Sequence, residues 1–249
     1  MLEVRNLTKV YDNGTVALRD VSFTVPDGQF LAVIGLSGSG KSTLLRCINR
    51  LIEPTEGQIL WNGEDVTAAG QEDLRKIRRR IGMVFQHFNL VHRSKVSTNV
   101  LAGRLGYTNP AMSIINRFSE QDKLAAMDRL DRVGLAEKAK SRADELSGGQ
   151  QQRVGIARAL MQDPEMLLAD EPVASLDPVL AHSIMQHLER IQADGVTVLC
   201  SLHFLDLVHR YADRAIALND GVLVFDGAPT EIDDERFESI YGQEAERVG

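Results

Sequence analysis

The sequence predicts an α/β fold built on a mostly parallel sheet with helices on both faces, and three observations carry that expectation. In the C-terminal half, short apolar runs alternate with helical patterns in the order 166–169, 179–193, 196–202 and 204–211. Such an order calls for parallel strands joined by crossover helices. The first 35 residues are instead a series of strand-like runs broken by the turn signals Asp12-Asn13-Gly14 and Pro26-Asp27-Gly28. Between these parts, from about 87 to 161, only helical periodicity is found, which reads as a helical insertion in a sheet domain.

Taken in order, 2–10, 17–25 and 30–34 are expected strands, with Leu18, Val21, Phe23 and Val25 as the apolar set of the second. A helix should begin at about Lys41, present Leu44, Leu45 and Ile48 on one face, and stop before Glu53-Pro54. The run 58–61 reads as a strand turning at Asn62-Gly63, and an arginine-rich helix over 72–80 leads into the apolar run 81–85. Helices are expected over 98–105, 119–133 and 149–161. Near the end, 214–218 and 222–225 flank Asn219-Asp220-Gly221, a hairpin signal.

Composition narrows the function classes. At 249 residues, 43% hydrophobic and 25% charged, the chain can bury a real core, and it is neither disordered, collagenous nor a disulfide scaffold. A net charge of −7 argues against a general nucleic-acid-coating protein, which needs a concentrated basic face. The opening MLEVRNLTKVYDNG has no apolar core of a signal peptide. No apolar run approaches the roughly 18–20 residues of a membrane-spanning helix, so membrane contact is expected only through a partner. Cys47 and Cys200, far apart and without CxxC or histidine-rich surroundings, read as buried thiols in a reducing compartment.

Chemistry enters at Gly35-Leu36-Ser37-Gly38-Ser39-Gly40-Lys41-Ser42, which fits G-x-x-x-x-G-K-[ST]. Glycines allow successive backbone N–H groups to converge on a phosphate, the helix N-terminus adds a favourable dipole, Lys41 brings a point charge, and the Ser42 hydroxyl can ligate Mg²⁺. An apolar strand enters this loop and a helix leaves it, the context the motif requires. The run 166–169 ends in Asp170-Glu171, a pair able to hold a metal's water shell and to polarise a water for attack on a γ-phosphate. Taken alone, that pair would be read as a helix cap or a solvated turn. Leu146-Ser147-Gly148-Gly149-Gln150 precedes a strong helical pattern and offers a second anion site without a lysine. Ser147 as a simple N-cap is the plain alternative, although it leaves two glycines in the first helical turn unexplained.

With these motifs in place, the chain resembles an ATP-binding subunit of an ABC transporter over essentially its whole length. The resemblance implies ATP and Mg²⁺ as cofactors. It also implies a P-loop NTPase core with an N-terminal antiparallel β subdomain and an inserted helical subdomain of about 87–161, all in one ABC ATPase domain of 1–249. On the same ground Tyr11 is the aromatic that stacks on adenine, and the phosphate loop runs from Gly35 through Ser42 to Thr43. Gln86 reaches both the metal and the membrane partner, Ser147 to Gln150 form the signature motif, and Ser175-Leu176-Asp177 is the loop that ends at nucleotide-contacting Asp177. Lys41, Gln86, Glu171 and His203 are the implied catalytic residues, with Ser42, Gln86 and Asp170 on the metal.

A closer similarity, to the ATP-binding subunits of bacterial phosphonate importers, rests on residues 85–91, 99–106 and 169–178. It implies head-to-tail pairing of two copies on ATP binding and membrane permease subunits as partners, with an extracytoplasmic substrate-binding protein reached only indirectly. It further implies no nucleic acid, and a peripheral place on the cytoplasmic face of the inner membrane. Alternatives within the resemblance are ATPases of amino acid or other oxyanion transporters, or an ABC ATPase acting on nucleic acid. One departure stands out: His87 and His92-Arg93 are more basic than expected at the partner-facing segment.

Overall fold

Alternating apolar residues in 2–10, 16–25 and 56–61 suit these segments to a half-buried sheet, and the computed structural model, which describes residues 1–108 and 118–241, forms it. Strand β1 (Leu2–Val10) pairs antiparallel with β2 (Val16–Val25) on one side. On its other side lies β4 (Glu56–Trp61), which in turn holds the two-residue β5 (Glu64–Asp65). Register places Leu2 opposite Val25, Val4 opposite Phe23 and Leu7 opposite Val21, so the apolar members share one buried face.

The second sheet is built around β3 (Phe30–Ile34), whose five residues are all buried. Its strand order is β10-β9-β3-β8-β7-β6, with β6 at Ile81–Val84, β7 at Met166–Ala169, β8 at Thr197–Ser201, β9 at Arg214–Asn219 and β10 at Val222–Gly227. Every pair is parallel except the terminal hairpin β9–β10, turned by Asp220 and Gly221 at positive φ. Because successive side chains of a strand point to opposite faces, β3 divides the core in two. Leu31 and Val33 pack with the antiparallel sheet and α1 (Lys41–Ile48). Phe30, Ala32 and Ile34 pack into a cluster supplied largely by helices.

Those helices include α3 (Val96–Leu101), α4 (Glu120–Arg132) and α5 (Gly148–Leu160), which lie between β6 and β7 in sequence, and α6 (Pro178–Ala193) and α7 (Leu205–Tyr211) of the crossovers. Helix α2 (Gln71–Arg79) precedes β6, and α8 (Asp234–Tyr241) closes the described chain. Each α4 and α5 start is capped reciprocally: Ser119 with Asp122, and Ser147 with Gln150.

The α/β layering matches the sequence expectation, with differences that have local causes. The helix expected over 98–105 starts earlier, at Val96, and from Ala102 to Tyr107 tightens into a 3₁₀ helix. Gly103 there passes so close to α5 that an added Cβ would sit 2.1 Å from the Arg158 carbonyl oxygen. Strand β5 and helix α8 were not anticipated, because two residues carry no period and Asp234–Tyr241 has a sparse apolar pattern. Residues 109–117, inside the expected helical insertion, and 242–249, inside the expected single domain, lie outside the described residues. Both cysteines are free and buried, as expected, and burial pushes the Cys47 thiol up to about 12 and that of Cys200 upward as well. No helix among the described residues is long and apolar enough to cross a membrane.

Beside the apolar core they share, the two sheets are also joined by a seam of backbone hydrogen bonds. The Arg19 N–H donates to the Gly221 carbonyl at 2.8 Å, and the Gly221 N–H donates to that of Ser39 at 3.1 Å. An added Cβ would lie 2.4 Å from the Ala17 carbonyl oxygen at Gly40 and 2.7 Å from it at Gly221. Only glycine fits at either position, and both hold a positive φ.

Candidate nucleotide site

Three consecutive structural steps create the site: β3 ends at Ile34, the chain loops back through 35–40, and α1 begins at Lys41. Gly35, Gly38 and Gly40 have φ of 138°, 83° and 107°, conformations open to glycine that let the loop wrap around its own centre. Lys41 is buried, and its ammonium donates to the Gly35 and Leu36 carbonyls at 2.9 Å each. Its pKa lies below the ordinary lysine value because burial outweighs the pull of Glu171 and Asp170. The Ser39 hydroxyl is buried in the same loop and has no partner among the described residues. The loop thus carries a lysine satisfied by the loop itself and an unmet hydroxyl, donors that a phosphate group would engage.

Across from α1, strands β7 and β8 bring their carboxyl ends to the same spot, where ligands of open parallel sheets bind. Asp170, 1% exposed, accepts from Ser42 Oγ at 2.6 Å and from the Ser201 hydroxyl at 3.3 Å on one oxygen, and from Arg46 at 3.0 Å on the other. Glu171 follows with φ 48°, a left-handed conformation. Its backbone N–H donates to Ser201 Oγ at 2.8 Å, its Oε1 lies 2.7 Å from His203 Nε2, and the Lys41 ammonium is 4.0 Å off. Lys41, Ser42, Asp170, Glu171 and His203 therefore converge. The paired oxygens of Ser42 and Asp170 form a hard, oxygen-only donor set facing the phosphate loop, chemistry that suits Mg²⁺ retaining part of its water.

The other expected residues fall into two groups. Tyr11 sits just past β1, and its hydroxyl lies 3.1 Å from Thr43 Oγ1 on α1, so its ring flanks the phosphate loop, with Lys9 stacked at 5.2 Å from the ring centroid. Gln86 follows β6, two residues after Val84, whose carbonyl accepts the Asp170 N–H at 2.9 Å. Ser147, Gly148 and Gly149 lie apart, at the start of α5. Ser147 caps that helix by accepting from the Gln150 N–H at 3.4 Å, Ser147 and Gly148 are exposed, and Gly149 is pressed against Leu180 of α6. Asp177 caps α6 through the Leu180 N–H at 3.0 Å. Sequence reasoning missed Arg46 and Ser201. Arg46 stands one helical turn after Ser42 and so shares its face, and Ser201 ends a fully buried strand, signals that gain meaning only with Asp170 beside them.

The ABC transporter family profile matches residues 18–174. The phosphonates import ATP-binding protein PhnC of Bdellovibrio bacteriovorus is 52% identical over 250 residues, covering 100% of this chain and 96% of that protein. Its namesake from Staphylococcus saprophyticus is 50% identical over 252 residues, covering 100% and 98%. Among solved structures, a dimeric bacterial ABC transporter cassette superposes with a TM-score of 0.82 at 35% identity, covering 92% of this chain and 99% of that one. A dimeric post-hydrolysis state of an ATP-binding cassette bound to ADP and Pi gives 0.81 at 34% identity, again over 92% and 99%. A phosphate loop facing an acidic strand end, the profile match and full-length identity near one half converge on one conclusion: the chain belongs to the ABC transporter family as one of its ATP-binding, ATP-hydrolysing cassettes.

Proposed function

We infer that the chain is the ATP-hydrolysing subunit that powers import of phosphonate, or a related phosphorus oxyanion, across the cytoplasmic membrane. The observation that carries the substrate class is the full-length identity of about one half to several phosphonates import ATP-binding proteins. Lys41 exchanges the Gly35 and Leu36 carbonyls for β- and γ-phosphate oxygens, and Tyr11 offers its ring to adenine. Ser42 and Asp170, with Gln86, would hold Mg²⁺, which when bound would neutralise charge developing on the phosphates. Glu171 accepts the proton of the attacking water, and His203, 2.7 Å away, fixes that carboxylate in place.

Ser147, Gly148 and Gly149 stand at a different helix start from the phosphate loop. In this reading they meet the γ-phosphate held by Lys41 of a second copy, with Asp177 beside them. The dimeric cassettes among the structural relatives support such pairing. ATP then binds the closed pair better than the open one, and hydrolysis releases it, a shift driven by differential contacts. Membrane permease subunits receive the motion through the Gln86 region at the cytoplasmic face, and a substrate-binding protein delivers the oxyanion from outside.

The test is genetic and chemical together. Cells dependent on a phosphonate as phosphorus source should grow with the native chain and fail with Lys41→Ala, while growth on inorganic phosphate is unaffected by either. Growth on phosphonate with Lys41→Ala would remove the assignment.

A further inference from the structure

Two consecutive non-glycine residues, Phe88 and Asn89, hold left-handed conformations with φ of 56° and 49°. Asparagine tolerates that region, but a bulky residue such as phenylalanine adopts it rarely, so Phe88 is the strained member and gains from a contact that holds it. Arg158, on the last turn of α5, donates to the Asn89 carbonyl at 2.5 Å and to the Phe88 carbonyl at 2.8 Å, so one planar guanidinium grips two consecutive carbonyls.

Arg158 has no carboxylate partner among the described residues, and burial holds its pKa below the ordinary arginine value. Its own backbone is pinned as well, since Gly103 approaches the Arg158 carbonyl too closely to admit a Cβ. At its far side the Phe88 ring reaches the opposite end of the same helix: an added Cβ on Gly148 would lie 3.9 Å from Phe88 Cζ and 3.9 Å from Leu176 Cδ2. The Phe88 carbonyl oxygen also passes 3.9 Å from the Cβ position of Gly155. The loop therefore runs alongside α5, bonded to it at Arg158 and close to it at Gly155 and Gly148.

We propose that Arg158 is a positioning residue that locks the 86–89 loop onto α5, so that Gln86 and the Ser147–Gly149 segment travel as one body when nucleotide binds. The role rests on the reading of Gln86 and Ser147 given above, and it adds a residue with no contact to nucleotide. Strain at Phe88 makes the lock conditional on the guanidinium. Without both hydrogen bonds the two peptides relax toward right-handed or extended backbone, and the phenyl ring leaves Gly148.

Hydrogen exchange on the nucleotide-free chain tests the lock without any assumption about pairing. In Arg158→Lys, which keeps the charge but cannot grip two carbonyls as a fork, the amides of 88–89 and of 148–150 should both exchange about 10-fold faster. Acceleration at 88–89 alone would overturn the proposal. ATP turnover then tests the consequence: Arg158→Lys should lower kcat about 10-fold with KM for ATP within about twofold, because the phosphate loop is untouched. A rise in KM with kcat unchanged would also overturn it. Glu171→Gln that stays monomeric with ATP and Mg²⁺ would sink the pairing of two copies, while the exchange result would stand by itself.

Discussion

Asp170 is held by three side chains at once, Ser42, Arg46 and Ser201, and that crowding fixes what its removal must do. Asp170→Asn keeps the shape but surrenders the charge that Arg46 faces and that Mg²⁺ would need. Metal-dependent ATP binding should weaken at least about 10-fold and hydrolysis should fall with it, measured by titrating Mg²⁺ against nucleotide affinity. An unchanged Mg²⁺ dependence would take Asp170 out of the metal site. Tyr11 makes a different test, because its hydroxyl is engaged by Thr43 while its ring is the feature of interest. Tyr11→Phe should retain ATP affinity despite losing that bond, and Tyr11→Ala should lose about 1 kcal/mol of it in a binding titration. At this scale the sequence was readable wherever a motif is contiguous, as from Gly35 to Ser42. Arg46 and Ser201 escaped notice because Asp170, which gives both their meaning, is far from them along the chain and next to them only after folding.

Helix α6 carries a group whose titration can be followed. His187, half-buried on it, has its pKa pulled down to about 4, chiefly by burial and further by Arg153 and Arg190. The unfolded chain, with His187 near 6.5, binds more protons than the folded one between those values. Stability from this residue is thus complete above about 6.5 and drains away as pH falls toward 4. His187→Gln should flatten the rise of Tm across pH 4 to 6.5 by a few degrees, read by thermal denaturation at a series of pH values. Among elements, strands and helices with a sustained period were legible to within a residue or two, including β1, β3 and β7. What periodicity could not convey was the tightening of 102–107 into a 3₁₀ helix, which answers to the contact between Gly103 and Arg158. Strand β5 likewise exists through its pairing with Leu60 and Trp61, not through its own two residues.

For the molecule as a whole, the surface that would face a membrane partner can be probed by charge. Arg93 is exposed, whereas Arg104 is tied to Asp122 and Asp163 and lies 4.3 Å from the Tyr107 ring centroid. Arg93→Glu should weaken assembly with the membrane subunits, measured by co-purification, and leave ATP affinity within about twofold. Arg104→Glu should instead lower Tm by several degrees, since it removes one network and sets like charges together. Unchanged co-purification of Arg93→Glu would mean that Arg93 has no docking role. The layered fold was evident in the order of elements, but the meeting of its two sheets was not, because Ala17, Ser39, Gly40 and Gly221 are brought together only by the closed structure. That seam has a consequence for how the molecule opens. The backbone that hangs the phosphate loop is the same backbone that sutures one sheet to the other, so neither can loosen alone. A thermal fluctuation that parts the sheets must also spill the loop, and bound nucleotide, by bracing the loop, must clasp together two sheets of which one carries Tyr11 and the other Asp170 and Glu171.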